Sequence, residues 1–305
     1  MSAAKETLSV VIQVPPLPRR DPAMHKGEAG KLFIVAGSAG MVGAAALCAR
    51  AALRSGAGLV RTGMPWRLAV MVSGRDPNVM TWALPETEDG TLSAMSPARI
   101  LKGLEGYDVL ALGPGISTNP QTVQAVRNLL PQTDTRLLLD ADALNALAGA
   151  PGVLKETPRN HGLPILTPHP GEMLRLIGKI PQGLDLRGND DHRREVAVAF
   201  ARKHNVVVAL KSRHTVVTDG QRLSVNQTGN PGMAKAGMGD VLFGVIAAMR
   251  AQGFDSFEAA QLGVYLHGLA GDMVCARMGE TGMLATDVIE ELPHACMRHQ
   301  AGQAT

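Results

Sequence analysis

Residues 226–240 read Asn-Gln-Thr-Gly-Asn-Pro-Gly-Met-Ala-Lys-Ala-Gly-Met-Gly-Asp and run directly into the apolar stretch Val-Leu-Phe-Gly-Val-Ile-Ala-Ala-Met at 241–249. Gly237 and Gly239 have no Cβ, so the backbone can turn tightly and bring N–H groups against a bound anion. The apolar stretch predicts a helix whose positive dipole end points at the same place. Asp240 would repel an anion unless it held a metal or took a proton. The pattern therefore predicts catalysis on a phosphate, although Asp240 could also be an ordinary helix cap.

Outward from this stretch, short apolar runs alternate with longer amphipathic segments. The runs lack polar alternation, which is typical of strands buried on both faces of a sheet. The predicted strands are Lys31–Ala36, Val109–Leu112, Arg136–Asp140, Pro164–Thr167, Val206–Leu210 and His214–Val217. The predicted helices are Met41–Ser55, Thr118–Leu130, Glu172–Ile177 and Asp191–Lys203. Strand, crossover helix and strand in succession predict an α/β fold with a parallel sheet and right-handed connections.

Composition limits the classes of function. The chain has 305 residues, of which 45% are hydrophobic and 3% aromatic, and its net charge is +3 with the basic residues scattered. This charge pattern argues against a nucleic-acid-binding protein. Three cysteines without metal-ligand spacing fit a reducing compartment, and no membrane span or signal peptide is recognisable, so the sequence predicts a cytoplasmic protein.

The chain divides into a short arm and one large domain. Prolines 15, 16 and 18 fix an extended backbone and predict an arm over residues 1–24, for subunit contacts or without fixed order. No linker or repeat interrupts the remainder, which predicts a single domain over residues 25–305.

Polar or glycine-rich clusters follow the predicted strands, and ligands bind where such strand ends meet. The clusters are Gly37–Gly40, Gly113–Gly115, Asp140–Asn145, Thr167–Glu172 and Lys211–Thr215. His169 is held between two prolines, as suits a ligand contact, but it could equally be a surface residue. The segment Lys211–Thr215 could contact phosphate or form a solvated hairpin turn. Asp142 could cap a helix, bind a sugar hydroxyl or hold hydrated Mg²⁺. No P-loop and no Rossmann spacing is present.

Taken together and in this order, these motifs resemble the ADP- or ATP-dependent NAD(P)H-hydrate dehydratases of the ribokinase-like superfamily. The resemblance extends from His25 to about Pro293 and includes the Asn226–Asp240 stretch. It implies a three-layer α/β/α sandwich with a largely parallel central sheet. It also implies ADP-dependent repair of (S)-NADH or NADPH hydrate, a carbon-oxygen lyase reaction in which the C6 hydroxyl is phosphorylated and phosphate is eliminated.

The resemblance also implies roles for particular residues. Asp240 would take the hydroxyl proton, and the amides of Gly237 and Gly239 would stabilise the transferring phosphoryl group. Ala45, Gly115 and His169, with Asp240, would contact the hydrated cofactor. The adenine nucleotide would contact Gly239 and the five loop residues Lys211, Ser212, Arg213, His214 and Thr215.

Further expectations come from the same resemblance. Mg²⁺ would neutralise the phosphates of ADP or ATP, with no metal ligand assigned in this chain. A homotetramer and functional pairing with a separate NAD(P)H-hydrate epimerase are also expected. The chain departs from the family pattern at three places: Ser212 and Met238 stand where the family usually has glycine and serine, and Gly115 is followed by Ile-Ser rather than Leu-Gly. The rate or the nucleotide preference could differ for that reason.

Two other functions stay open at this point. A ribokinase-superfamily kinase for a vitamin precursor would carry the same Gly-x-Gly-Asp sequence but would release a stable phosphorylated product. A non-catalytic nucleotide-binding protein would use Asp240 only as a cap.

Overall fold

Ten strands of this chain lie side by side in one sheet. The computed structural model describes residues 8–74 and 76–302. Within them the strands are β1 Ser9–Val10, β2 Lys31–Val35, β3 Leu59–Pro65, β4 Met80–Leu84, β5 Val109–Leu112, β6 Arg136–Leu139, β7 Ile165–Leu166, β8 Val207–Leu210, β9 Val216–Thr218 and β10 Arg222–Val225. The strand order is β1-β10-β9-β8-β7-β6-β5-β2-β3-β4. Neighbouring strands are parallel except at β9, which is antiparallel to both β8 and β10.

Helices cover both faces of the sheet. They are α1 Val42–Arg54, α2 Trp66–Ser73, α3 Ser96–Leu104, α4 Pro120–Leu129, α5 Ala141–Ala146, α6 Val153–Glu156, α7 Pro170–Ile177, α8 Asp190–His204, α9 Met238–Ala251, α10 Ser256–Met278 and α11 Ala285–Ala301. Helices α1, α2, α9, α10 and α11 share one hydrophobic core with the sheet, whereas α3–α8 share the other. Over the described ranges, none of these helices has the length and apolar character needed to cross a membrane.

Alternation along a strand explains the two cores. In β2, Leu32 and Ile34 belong to one core, whereas Phe33 and Val35 belong to the other, and all four are fully buried. Successive side chains of a strand point to opposite faces, so an unbroken apolar strand must have both faces covered. The predicted three-layer α/β/α sandwich with a largely parallel sheet is confirmed.

The predicted elements are present with small shifts. The strand expected at His214–Val217 begins two residues later, since His214 and Thr215 belong to the turn after β8. Strands β3, β4 and β10 were not predicted from the sequence. Each lies towards an end of the sheet and carries polar or exposed residues, such as Arg61 in β3 and Met80 in β4, that interrupt the apolar signal.

The described part of the predicted arm packs against the domain. Strand β1 pairs in parallel with β10 at the end of the sheet. Gln261 Nε2 donates to the carbonyl of Gln13 at 3.1 Å, and His299 Nε2 lies 2.8 Å from the carbonyl oxygen of Pro15. Residues 1–7 of the arm lie outside the described residues, and the boundary at residue 24 stays a prediction.

The turns after β5 and β6 pack backbone against backbone. Gly113 has a φ of +143°, and a Cβ added there would lie 1.9 Å from the carbonyl oxygen of Asp140. Asp140 N in turn donates to Leu112 O at 3.2 Å. Only glycine fits this approach, which fixes the positions of two strand ends relative to each other.

We expect Gly113→Ala to lower the free energy of unfolding by more than about 3 kcal/mol, because it combines a forbidden contact with a strained φ. Gly106 is the matched control, since it also has a positive φ, of +77°, but an added Cβ there meets nothing within 4 Å. Gly106→Ala should cost only about 1–2 kcal/mol. Urea denaturation measures both values, and equal losses in the two variants would contradict the packing argument.

Candidate active site

The glycine-rich stretch forms the N-terminus of α9, as the sequence predicts. Gly237 is the N-cap residue with a φ of +89°, and a Cβ there would lie 2.8 Å from Leu47 Cδ1. The first N–H groups of a helix have no acceptor within the helix, and the helix dipole makes this end positive. Gly239 and Asp240 lie in this first turn. The turn therefore offers an anion site with a carboxylate beside it.

The side chain of Lys211 lies at the same place. It follows β8, and a Cβ added to Gly239 would be 3.8 Å from Lys211 Nζ. Lys211 Nζ donates to Asp140 Oδ1 at 2.6 Å and lies 3.8 Å from Glu172 Oε2. Burial lowers the pKa of Lys211, but the neighbouring carboxylates of Asp140 and Glu172 outweigh it and raise the pKa above its usual value. The lysine therefore stays an ammonium ion.

Asp240 is a partly buried carboxylate without a partner. In residues 8–74 and 76–302 its side chain accepts no hydrogen bond and forms no ion pair. Burial, followed by the charge of the nearby Asp140, raises the pKa of Asp240 from 3.8 to about 6, although Lys211 opposes both. A carboxylate that is ionised at neutral pH but holds a proton more readily than usual is suited to general-base catalysis.

His169 caps helix α7. Its Nδ1 accepts from Gly171 N at 2.9 Å and from Glu172 N at 3.3 Å, while Glu172 Oε2 accepts from His169 N at 2.8 Å. An Nδ1 that accepts carries no proton, so the ring proton is on Nε2. Burial, followed by the charge of Lys211, lowers the pKa of His169, which keeps the ring neutral. The two prolines thus hold a capping histidine, whose Nε2 lies 3.4 Å from Glu172 Oε1.

Two small residues predicted to contact the substrate line the neighbouring turns. Ala45 is fully buried in α1, and a Cβ on Gly37 would come within 3.3 Å of its side chain. Gly115 has a φ of +65°, and an added Cβ would lie 2.8 Å from Met41 Cβ. Both positions leave no space for a larger side chain between the β2 and β5 turns and α1.

The loop from Lys211 to Thr215 connects β8 to β9 as an antiparallel turn. Ser212 Oγ donates to the carbonyl of His214 at 2.8 Å, and Thr215 Oγ1 donates to the carbonyl of Ser212 at 3.2 Å. His214 Nδ1 faces Asp190 Oδ2 at 3.2 Å, and Arg213 is exposed. Lys211 is therefore the member of this loop whose charge reaches the α9 N-terminus.

Asp142 has a structural role in the neighbouring loop. Its Oδ2 accepts from Ser117 N at 2.9 Å, and its Oδ1 accepts from Asn145 Nδ2 at 3.1 Å. Both oxygens thus hold the chain after β5 against α5. The sequence did not predict this role, which occupies both of the carboxylate oxygens that helix capping or metal binding would use.

The described ranges contain no group of three His, Cys, Asp or Glu side chains arranged to hold a metal ion. Asp140 and Glu172 are already engaged by Lys211. A protein-held Mg²⁺ site therefore does not fit these residues, and Mg²⁺ brought by a nucleotide would be coordinated mainly by phosphate oxygens.

Sequence reasoning placed Asp140 and Glu172 at strand ends that meet at the site but did not predict their contacts with Lys211. Those contacts depend on β7 lying between β6 and β8. The buried residues Cys48 in α1 and His267 in α10 also lie next to the site. No local signal marks either of them, because each is part of an ordinary apolar helix.

Comparisons with known proteins agree with this geometry. The profile of the family described as NAD(P)H-hydrate dehydratase matches residues 32–294. The chain is 44% identical to the bifunctional NAD(P)H-hydrate repair enzyme Nnr of Moorella thermoacetica over 280 residues, which is 91% of this chain and 51% of that enzyme. It is 38% identical to the enzyme of the same name from Thermofilum pendens, over 92% of this chain and 52% of that one. The chain spans about half the length of these curated relatives.

A solved structure also matches this chain over most of its length. The ADP/ATP-dependent NAD(P)H-hydrate dehydratase of Bacillus subtilis, co-crystallised with ATP and Mg²⁺, superposes with a TM-score of 0.75. It is 30% identical and is matched over 93% of this chain and 95% of that one. The extent of both matches shows that this chain belongs to the NAD(P)H-hydrate dehydratase family.

Proposed function

We propose that this protein is an ADP-dependent (S)-NAD(P)H-hydrate dehydratase that repairs hydrated NADH and NADPH. One observation carries the proposal. The unpaired Asp240 carboxylate lies in the first turn of α9, where free backbone N–H groups and the Lys211 ammonium can hold a phosphoryl group. A base next to a phosphoryl-binding site is the arrangement needed to activate a hydroxyl for phosphorylation.

The reaction can be followed atom by atom. Asp240 takes the proton of the C6 hydroxyl while the hydroxyl oxygen attacks the terminal phosphorus of ADP. The bond between that phosphorus and the bridging oxygen breaks, and the oxygen leaves with AMP. Phosphate then leaves with the C6–O bonding electrons while the ring nitrogen donates its lone pair. Transfer of a proton from C5 to water then restores the double bond of the reduced nicotinamide. The α9 N–H groups and Lys211 stabilise the negative charge on the transferring group.

The site has two sides that suit the two ligands. Gly239 and the loop from Lys211 to Thr215 would contact the adenine nucleotide. The family resemblance assigns the contacts with the hydrated cofactor to Ala45, Gly115 and His169, which lie in the segments that follow β2, β5 and β7. Ala45 and Gly115 are both buried against neighbouring protein atoms, so their contacts with the ligand stay predictions from the resemblance.

Other features of the proposal rest on the family alone. Mg²⁺ would accompany the nucleotide and reduce the charge on its phosphates. A tetrameric assembly, a cytoplasmic location and functional pairing with an NAD(P)H-hydrate epimerase remain predictions. The preference between ADP and ATP is tested directly by the assay below.

The direct test adds ADP or ATP, with Mg²⁺, to purified protein and hydrated NADH. We expect the absorbance of reduced nicotinamide to return with one phosphate released per NADH. A stable phosphorylated product without recovery of absorbance would instead indicate a vitamin-type kinase. Nucleotide binding without any turnover would indicate a non-catalytic protein.

Asp240→Asn should retain nucleotide binding and lose roughly 100- to 10,000-fold in kcat, since a base of this kind contributes about that much. In the wild-type protein kcat/KM for the hydrate should fall as pH decreases through about 6, because Asp240 accepts a proton only when it is ionised. A flat pH profile between 5 and 8, or an active Asp240→Asn protein, would rule out Asp240 as the base.

The same substitution should stabilise the fold at alkaline pH. The pKa of Asp240 in the folded protein, about 6, lies above its usual 3.8. Ionisation of this carboxyl group therefore destabilises the folded state increasingly as pH rises from 3.8 through about 6. At pH 8 Asp240→Asn should raise the free energy of unfolding by up to about 3 kcal/mol. Near pH 3 both states hold the proton, and the difference should vanish in urea titrations. An unchanged difference across pH would contradict the burial of an unpaired charge.

Substitutions of His169 separate its two roles. His169→Ala removes the cap of α7 and should cost about 1 kcal/mol of stability, whereas His169→Asn restores a capping oxygen. Both variants lose the Nε2 donor, so both should raise KM for the hydrate several-fold and leave KM for the nucleotide unchanged. A wild-type KM for the hydrate in a stable His169→Asn protein would limit His169 to capping.

A further inference from the structure

One ammonium group, that of Lys211, lies near the buried Asp140 and influences the partly buried Asp240. Lys211 Nζ lies 2.6 Å from Asp140 Oδ1, and it forms no ion pair within 4 Å with Asp240 among the described residues. The side chain of Asp140 is 3% exposed, and that of Lys211 is 18% exposed. Lys211 therefore pairs with Asp140, and the carboxylate of Asp240, which it leaves unpaired, is the proposed base.

We propose that Asp140 is a positioning residue, which holds the Lys211 ammonium beside Gly239 and prevents it from pairing with the Asp240 carboxylate. This inference rests on the proposed function, because Asp240 needs to be unpaired only if it takes a proton. Asp140 would act through Lys211 and Asp240 without touching the substrate.

The backbone next to Asp140 is strained, and the Asp140 side chain does not cap its helix. Asp140 is the N-cap residue of α5, yet its side chain makes no capping hydrogen bond and is directed instead to Lys211. The next residue, Ala141, has a φ of +49°, which is unfavourable for a residue with a Cβ. The close approach of Gly113 to the Asp140 carbonyl fixes the turn from the other side. An aspartate that served only as a cap would need neither the strain nor the buried lysine.

The ammonium position determines how strongly Asp240 holds a proton. Burial and the Asp140 charge both raise the pKa of Asp240, whereas Lys211 lowers it. A lysine in direct contact with Asp240 would lower it much more, since an ion pair stabilises the charged form. Asp140 therefore favours a strong base in two ways: through its own negative charge and by keeping the ammonium engaged.

The other groups around Asp240 are neutral or more distant. Burial, then Asp240 and Asp140, raise the pKa of the Cys48 thiol of α1, which stays protonated. Burial lowers the pKa of His267 of α10, which contacts the backbone of Met238, to about 4. Glu172 of α7 faces Lys211, and burial raises its pKa. Asp140 and Lys211 are thus the charged groups that control Asp240.

The test compares three substitutions in the intact protein. Asp140→Asn removes the charge and releases Lys211, whereas Asp140→Glu keeps a carboxylate for it. Asp142→Asn is the matched control, because it removes an equal charge two residues away whose contacts are with Ser117 and Asn145. The primary readout is the ¹³C carboxyl NMR titration of Asp240, identified by its loss in Asp240→Asn, and the second is the pH profile of kcat/KM.

In Asp140→Asn we expect the midpoint of the Asp240 titration to move from about 6 to lower pH by about one unit or more, with the acid limb of kcat/KM moving the same way. The plateau kcat should fall at least about tenfold, since the ammonium leaves the phosphoryl site. In Asp140→Glu the midpoint of the Asp240 titration should return most of the way to about 6, and in Asp142→Asn it should stay near about 6. The dissociation constant for ADP should change less than about threefold in Asp142→Asn.

An unchanged Asp240 midpoint in Asp140→Asn, or an equal shift in Asp142→Asn, would overturn the inference. If Asp140→Asn does not fold, Lys211→Met gives the reciprocal test, because removal of the ammonium should raise the Asp240 midpoint above about 6; a lower midpoint would also overturn it. The titration requires no turnover, so absence of dehydratase activity in the wild type would refute the proposed function separately.

Discussion

Burial of the central sheet on both faces is the constraint from which the site follows. A strand whose neighbouring side chains enter two different cores must be covered by helices on both sides, and crossover helices make consecutive strands parallel. Parallel strands end at the same edge. Asp140, His169 and Lys211 follow β6, β7 and β8, which are adjacent in the sheet, so these residues converge although about 70 residues separate the first from the last. The N-terminus of α9 meets them from one layer.

Charge at this edge is arranged unequally. The Lys211 ammonium lies 2.6 Å from Asp140 and 3.8 Å from Glu172, and it forms no ion pair with Asp240 among the described residues. A buried ion pair contributes little net stability after the cost of desolvation, and an unpaired buried carboxylate opposes folding. The arrangement is therefore better explained by the chemistry than by stability. In the proposed function it leaves the Asp240 carboxylate free to act as a base and keeps the Lys211 ammonium where a phosphoryl group would bind.

Two of the departures from the family pattern lie where main-chain N–H groups would form the proposed anion site. Met238 replaces the usual serine in the first turn of α9, and its side chain is 5% exposed, directed into the core. The N–H groups of the turn do not depend on that side chain. Ser212 replaces the usual glycine, and its hydroxyl bonds to the carbonyl of His214 within the loop. Both changes are compatible with an anion site made from main-chain amides.

The fold class, the strands at the centre of the sheet and the glycine-rich turn with Asp240 at the start of α9 were predictable from the sequence, because they depend on local periodicity and on glycine. The sequence also carried the family resemblance. Strands β3, β4 and β10, which lie towards the two ends of the sheet, were not predicted, since partly exposed strands lose the apolar signal. The tertiary structure alone decided that His169 caps α7 and that Asp142 fastens a loop. It alone decided that Lys211 pairs with Asp140 and leaves Asp240 free, because the partner of a buried charge depends on distances across neighbouring strands, which no local pattern encodes.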